Sequence, residues 1–461
     1  MNRHFLVWLT AALLASLVFQ GYQCGSPEFT GAKVYIQQKN YKEAIRLLEQ
    51  EVQKNPSNEE AWYMLGSLKA ENSDYLGMNL AFDSALKIDN KHSRDIKQTR
   101  FNKWGSHLNN AVGLMDKASG DSSHAYYDKA IGEFQKAIAA WPDTSLSYRY
   151  LGYAYSNKGD LEGALNAYRQ AWDRGKDADA LKRIGRIYLQ RGVELRSKFE
   201  TDNATPLREM KSVASVQKGM KKVDVMHNLG APDNVKKGPR DAKKEDWAYK
   251  NFNLTVSLEN DVVAATTFSR PYKPSIDSTQ MKLALVEFGK SVEALEVAKN
   301  EDAKDNEILT LLLQAYVESN KIKEAITTFK QAVANEPGEK RNHYLLGVLY
   351  RTDNDFQPAI DEFKKAIEID PAYTDAAFEV GATYYNWGVD ILHTAQDKGQ
   401  DPPPTYKEKF QQALPYLETV AETKKDDAQV WETLGTIYAR LGMSDKALKA
   451  LNRADKIRKG D

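Results

Sequence analysis

In the C-terminal half of the chain, small and apolar residues return at helical spacing and at a fixed longer period. Ala325, Phe329 and Ala332 share one face of a helix and Pro337 follows it; Ala359, Phe363, Ala366 and Pro371 repeat the set 34 residues later. A second apolar-periodic stretch precedes such helices. It is marked by Leu346, Gly347 and Tyr350 in one copy and by Trp431, Leu434, Gly435 and Tyr438 in another. The pattern predicts paired helices. Gly and Ala let two helices approach, while Leu and the aromatic residues fill the space between them. Proline, lacking an N–H and fixed in φ, ends the second helix of each pair.

These residues resemble the tetratricopeptide repeat, and the resemblance implies an α-solenoid. Propagated along the chain, the register gives nine units: 25–58, 59–92, 93–144, 145–177, 178–305, 306–339, 340–373, 374–427 and 428–461. The first is marked by Ala44, Leu48 and Pro56, and the second by Trp62, Leu65, Gly66, Phe82 and Ala85. The fourth carries Leu151, Gly152, Tyr155, Ala164, Tyr168 and Ala171, and the last carries Ala447, Leu451 and Ala454. Three units are longer than the rest. The third, through Asn109-Asn110 to Ser122-Ser123, and the eighth, through Trp387-Gly388 to Pro402-Pro403-Pro404, read as lengthened helices ending in loops. In solenoids such additions collect on one rim, where a partner can touch them.

The fifth unit starts normally with Leu181, Ile184, Gly185 and Tyr188, yet its second helix arrives only at Ser291, Leu295 and Ala298. Residues 206–271 between them leave the helical spacing. Gly219-Met220 leads into a short amphipathic helix, and Gly230 with Pro232 stops it. Strand-like text follows at 246–249, 254–258 and 262–268, with Asn260-Asp261 as a tight turn. The order Gly-Met, helix, Leu-Gly-x-Pro, Trp-x-Tyr and hairpin resembles the SmpA/OmlA family, the small lipoprotein of the bacterial outer-membrane β-barrel assembly machine. That resemblance implies a helix pair on a three-stranded antiparallel sheet; Trp247 and Tyr249, aromatics on one face of a strand, are expected to pack in its core. The fold class expected is therefore mainly α: about nine helix pairs with one small inserted α+β domain.

At the N-terminus an apolar run from Phe5 to Phe19 follows Arg3 and His4. It has the length of a signal-peptide core and falls short of the ~20 residues of a spanning helix. Cys24, the only cysteine in the chain, lies just beyond it, so no internal disulfide can form. The arrangement resembles a bacterial lipoprotein signal, which implies lipid on Cys24. Gly21, Tyr22 and Gln23 depart from the residues that family places before its cysteine, and an uncleaved anchor is the alternative. The expected organisation is an export signal at 1–23, an N-terminal array at 24–205, the insert at 206–271 and a C-terminal array at 272–461. The place expected is the cell envelope, as an outer-membrane lipoprotein facing the periplasm, with attachment to the inner or another membrane as the alternative.

Charge and chemistry narrow the role further. Lys+Arg and Asp+Glu both total 64, leaving no basic field to gather nucleic acid, although the insert has twelve basic against eight acidic residues. None of the seven histidines stands at metal-ligand spacing from another or from Cys24, and neither a phosphate loop, a nucleophile elbow nor a zinc-protease motif is present. No cofactor, no metal and no catalysis are expected. What is left is a surface for proteins or peptides. The first helices of a tetratricopeptide array line its groove, so exposed residues between their packing positions become candidate contacts: Tyr63, Arg149, Tyr153, Lys182, Arg186, Tyr344, Arg351, Phe378 and Tyr385. Aromatic rings beside arginines offer contact area with few rotors and a fork for carboxylates. An envelope adaptor is the leading expectation, and a holdase for unfolded outer-membrane or secreted clients is the rival.

Overall fold

A computed structural model describes residues 26–118, 123–238, 243–398 and 400–460. The expected export segment and Cys24 lie outside the described residues. Twenty helices and one antiparallel sheet are formed there. The chain divides into two compact units, Met1–Arg183 and Ile184–Asp461.

The first unit holds four helix pairs: α1 (Pro27–Gln37) with α2 (Tyr41–Lys54), α3 (Glu59–Glu71) with α4 (Tyr75–Ile88), α5 (Ser93–Asp116) with α6 (Ser123–Ala140), and α7 (Ser145–Lys158) with α8 (Leu161–Gly175). Helix α9 (Ala178–Asp202) follows. Asn or Asp side chains cap several starts: Asn40, Asn58, Asp74 and Asp160 each accept from a backbone N–H three residues on. Between paired helices the chain turns through one left-handed residue, Lys39, Ser73 or Gly159.

The second unit contains α12 (Thr279–Glu301), then α13 (Asn306–Glu318) with α14 (Ile322–Asn335), α15 (Lys340–Thr352) with α16 (Phe356–Ile369), α17 (Thr374–Asp397) with α18 (Thr405–Thr423), and α19 (Ala428–Arg440) with α20 (Ser444–Lys459). The partner of α9 is not the next helix but α12, whose Ser291 hydroxyl donates to the Gly185 carbonyl at 2.7 Å.

One close contact recurs in these pairs. A Cβ added at Gly66, Gly152, Gly347 or Gly435 would fall within 2.4–2.7 Å of Phe82, Tyr168, Phe363 or Leu451, each sixteen positions later on the second helix. Gly185 stands in the same relation to Leu295 at 2.4 Å despite the intervening insert. In α13 the equivalent place is taken by Leu313, and there the two helices pack less closely. The lengthened third and eighth repeats are indeed long first helices, since α5 and α17 have 24 residues each.

Between α9 and α12 lie α10 (Ala204–Ser215), α11 (Lys222–Leu229) and a sheet of β1 (Asn234–Lys237), β2 (Lys244–Tyr249), β3 (Leu254–Glu259) and β4 (Val262–Phe268), in that spatial order. Its core is its own: Val213, Val216, Val225, Trp247, Tyr249, Leu254, Val256, Leu258 and Val263. Gly230 ends α11 with φ 78°, and Asn260 and Asp261, both at positive φ, form the two-residue turn. The base is pinned by Asn203, 4% exposed. Its Nδ2 donates to the Asp277 carbonyl at 3.0 Å, and its Oδ1 accepts from the Asp277 N–H at 2.9 Å.

Two expectations need correction. The sheet has four strands, because Asn234–Lys237 pairs antiparallel with β2. All four of its residues are exposed, so its sequence carries no apolar alternation that reveals a strand. The helix count also goes beyond paired helices: among the described residues twenty helices form, α10 and α11 being the insert's own.

Candidate protein-binding surface

The first helices present their outward residues in two separate places. In the first unit, Arg149 and Tyr153 sit one turn apart on α7 and meet the start of α9. Arg149 Nη1 lies 3.2 Å from Asp177 Oδ2, and the Tyr153 hydroxyl donates to Asp179. The Arg183 guanidinium stacks over the Tyr153 ring at 4.0 Å, and Lys182 Nζ is 3.1 Å from Asp179. Burial raises the Asp179 carboxyl, but the hydrogen bonds from Tyr153, Arg183 and Lys182 outweigh it and hold it down at about 2. Burial, with the same carboxylate as acceptor, pushes the Tyr153 hydroxyl up to about 12. Tyr63, on α3, is half-buried and stacks face to face on His92, ring centres 3.9 Å apart.

In the second unit Tyr344 of α15 packs on Tyr373 and Phe363 at 5.3 and 5.7 Å, and burial lifts its hydroxyl to about 12. Arg351 Nε lies 3.1 Å from Glu379 on α17. Burial pushes the Glu379 carboxyl up, and Arg351 offsets that only in part. Phe378, on α17, is half-buried and packs against the core of this unit. Tyr385 turns instead to α18, stacking on Phe410 at 5.6 Å. Arg186 is exposed and ion-paired to Glu307.

The candidate residues thus differ from freely exposed contacts. Lys182 is only 9% exposed, Arg186 alone is exposed, and the other seven are half-buried. Each basic member already has a carboxylate on its own helix, on the following first helix or just before it. Asp177 and Glu379 stand 28 residues after Arg149 and Arg351, a recurrence readable in the sequence once the arginines are picked out. Lys33 with Glu60, at 3.0 Å, extends the pattern to α1 and α3. Such pairs add little stability singly, but they fix the guanidinium groups in place. An incoming carboxylate must displace an internal one. The surface therefore suits a ligand that lies across rings and exchanges hydrogen bonds, more than one captured by a single charge.

Two histidines sit in polar chains elsewhere. His107 bridges Tyr75 at 2.5 Å and Glu133 at 2.6 Å; His343 bridges Glu362 at 2.6 Å and the Pro337 carbonyl at 3.0 Å. Both ring nitrogens are occupied in each case, tying a first helix to its neighbours. Among the described residues no group of His, Cys, Asp and Glu is arranged to hold a metal, and no helix is long and apolar enough to cross a membrane.

The helix pairs, their glycine–ring contacts and their left-handed turns define the class: the chain carries tetratricopeptide repeats. A family model described as "Tetratricopeptide repeat" matches residues 125–180, 310–374 and 406–461, and a second of the same description matches 32–68. Among curated proteins, Superkiller protein 3 of Schizosaccharomyces pombe is 24% identical over 164 residues, 29% of this chain. The match spans only 11% of that protein's length. Among solved structures, "Crystal structure of MamA" is 20% identical, covering 41% of this chain and 98% of that one, with a TM-score of 0.31. "MamA MSR-1 C2" is 18% identical over 38% of this chain and 88% of that one, with a TM-score of 0.29.

Proposed function

We propose that this protein is a non-catalytic scaffold of the bacterial cell envelope that holds other proteins on its first-helix faces. The observation that carries the reading is the pair of ring-and-guanidinium surfaces, Tyr153 with Arg149 and Arg183, and Tyr344 with Arg351, beside carboxylates of the same array. Rigid aromatic and arginine side chains lose little entropy on binding and are the groups that dominate protein interfaces. The envelope part of the reading rests on sequence: the apolar run before Cys24 and the insert's resemblance to the SmpA/OmlA lipoprotein. Lipid on Cys24 would hold the array at a membrane, facing the periplasm, and the insert would offer a second recruiting surface.

Cys24→Ser tests the anchor. The expected result is release from the membrane fraction; membrane retention with the first residues intact contradicts lipidation and favours an uncleaved anchor. Capture of partners from detergent extracts separates scaffold from holdase. A scaffold returns a few fixed proteins in constant ratio, whereas a holdase returns many unfolded ones.

A further inference from the structure

At the last repeat a cavity of about 730 Å³ opens between α18, α19 and α20. Its floor is apolar. Leu434 and Tyr438 are buried there and Trp431 is half-buried. The polar atoms of the two aromatic floor residues are already satisfied: the Trp431 Nε1–H donates to the Lys425 carbonyl at 2.9 Å, and the Tyr438 hydroxyl donates to Glu418 at 2.5 Å. What faces the cavity is therefore carbon surface, whose burial is favourable.

The rim is cationic. Lys425, Lys446, Lys449 and Arg453 surround the floor, against Glu418 and Glu422. Arg453 is 3.1 Å from Asp426, and Lys446 reaches Glu418 only at 3.6 Å. Lys425 and Lys449 have no carboxylate partner among the described residues. Helix α20 as a whole carries Lys446, Lys449, Arg453, Lys456, Arg458 and Lys459 against Asp445 and Asp455, in a chain whose net charge is zero. The last helix thus brings an excess of positive charge to this end of the second unit.

We propose that this trough seats an acidic amphipathic helix of a partner protein. Its apolar stripe lies on Trp431, Leu434 and Tyr438, and its carboxylates meet Lys425 and Lys449. The shape favours a helix because the trough runs between two second helices with a first helix beneath, so that an added helix continues the array's own packing. The charge favours an acidic partner and turns a basic one away. This surface is built largely by second helices and lies apart from the Tyr344–Arg351 face, so it goes beyond the scaffold role proposed above.

The test is selection of random peptides of about 16 residues, roughly four helical turns, against the full chain and against Lys425→Glu/Lys449→Glu. Neither lysine has a partner to lose, so the variant should melt with the parent; circular dichroism checks this. The expected result is a set of peptides that bind the parent and bind the variant at least about tenfold more weakly. They should carry Asp or Glu on one face and apolar residues at i, i+3 or i+4, and i+7 on the other, and raised salt should weaken them. The proposal is overturned if no enriched peptide depends on the two lysines, or if those that do are basic or lack the apolar stripe. Failure here leaves the first-helix reading standing, since crosslinking from Tyr153 and Arg186 tests that separately.

Discussion

At the residue scale, the array is governed by a few side-chain choices that recur with the repeat. A glycine on the first helix faces a ring or leucine on the second, and the gap leaves no place for a Cβ. Gly347→Leu should therefore destabilise the second unit by about 1–3 kcal/mol through overpacking against Phe363. Thermal unfolding checks this, and an unchanged melting temperature would contradict the contact. The Asp179 cluster gives a pH-dependent expectation. Its folded carboxyl titrates at about 2, below the ordinary 3.8, so it adds stability above 3.8 that fades as pH falls toward 2. With its side chain 25% exposed, solvent screening limits the contribution to about 1–2 kcal/mol. The melting-temperature gap between the parent and Asp179→Asn should be full at neutral pH and close between pH 3.8 and 2. A gap constant with pH would show that the hydrogen bonds, not the charge, stabilise this corner.

At the element scale, what the sequence discloses depends on whether an element buries a regular face. The helix pairs were legible because Ala, Gly and aromatic residues must recur where two helices touch, as Gly347 and Phe363 do. Gly230, Asn260-Asp261, Trp247 and Tyr249 also declared themselves, since a helix stop, a positive-φ turn and a sheet core each demand particular residues. Strand β1 did not, because a fully exposed edge strand imposes no alternation. The binding surface was legible only in part. Sequence placed Arg149 and Arg351 on first helices, but their paired acids, Asp177 at the junction to the next repeat and Glu379 in the next first helix, are visible only when the register of two repeats is compared. The insert has its own core and is joined to α9 and α12 at the Asn203–Asp277 clasp. Deleting 204–277 and closing the gap with a short Gly/Ser linker should keep helical circular dichroism and a cooperative melt. Collapse of the array would instead make the insert a structural wedge.

At the scale of the whole molecule, the described parts are two compact helical units, the second carrying the small α+β insert. Each unit has at least one surface where rings and guanidinium groups are held ready, and the second has a cationic trough besides. Repetition accounts for this: a solenoid grows by adding similar faces, and single substitutions then make each face different without disturbing the contacts that stack the repeats. A scaffold that gathers several proteins needs that separation of packing from recognition. The measurement that tests the central claim most directly is photo-crosslinking in the native cell from a reactive amino acid placed at Tyr153, Arg186 and Phe378, with Leu76 and Leu80, exposed on the second helix α4, as controls. The account predicts a few partner proteins, the same in every preparation, crosslinked from the first-helix positions and absent from Leu76 and Leu80. Equal crosslinking from both sets, or a broad smear of unrelated proteins, would contradict it.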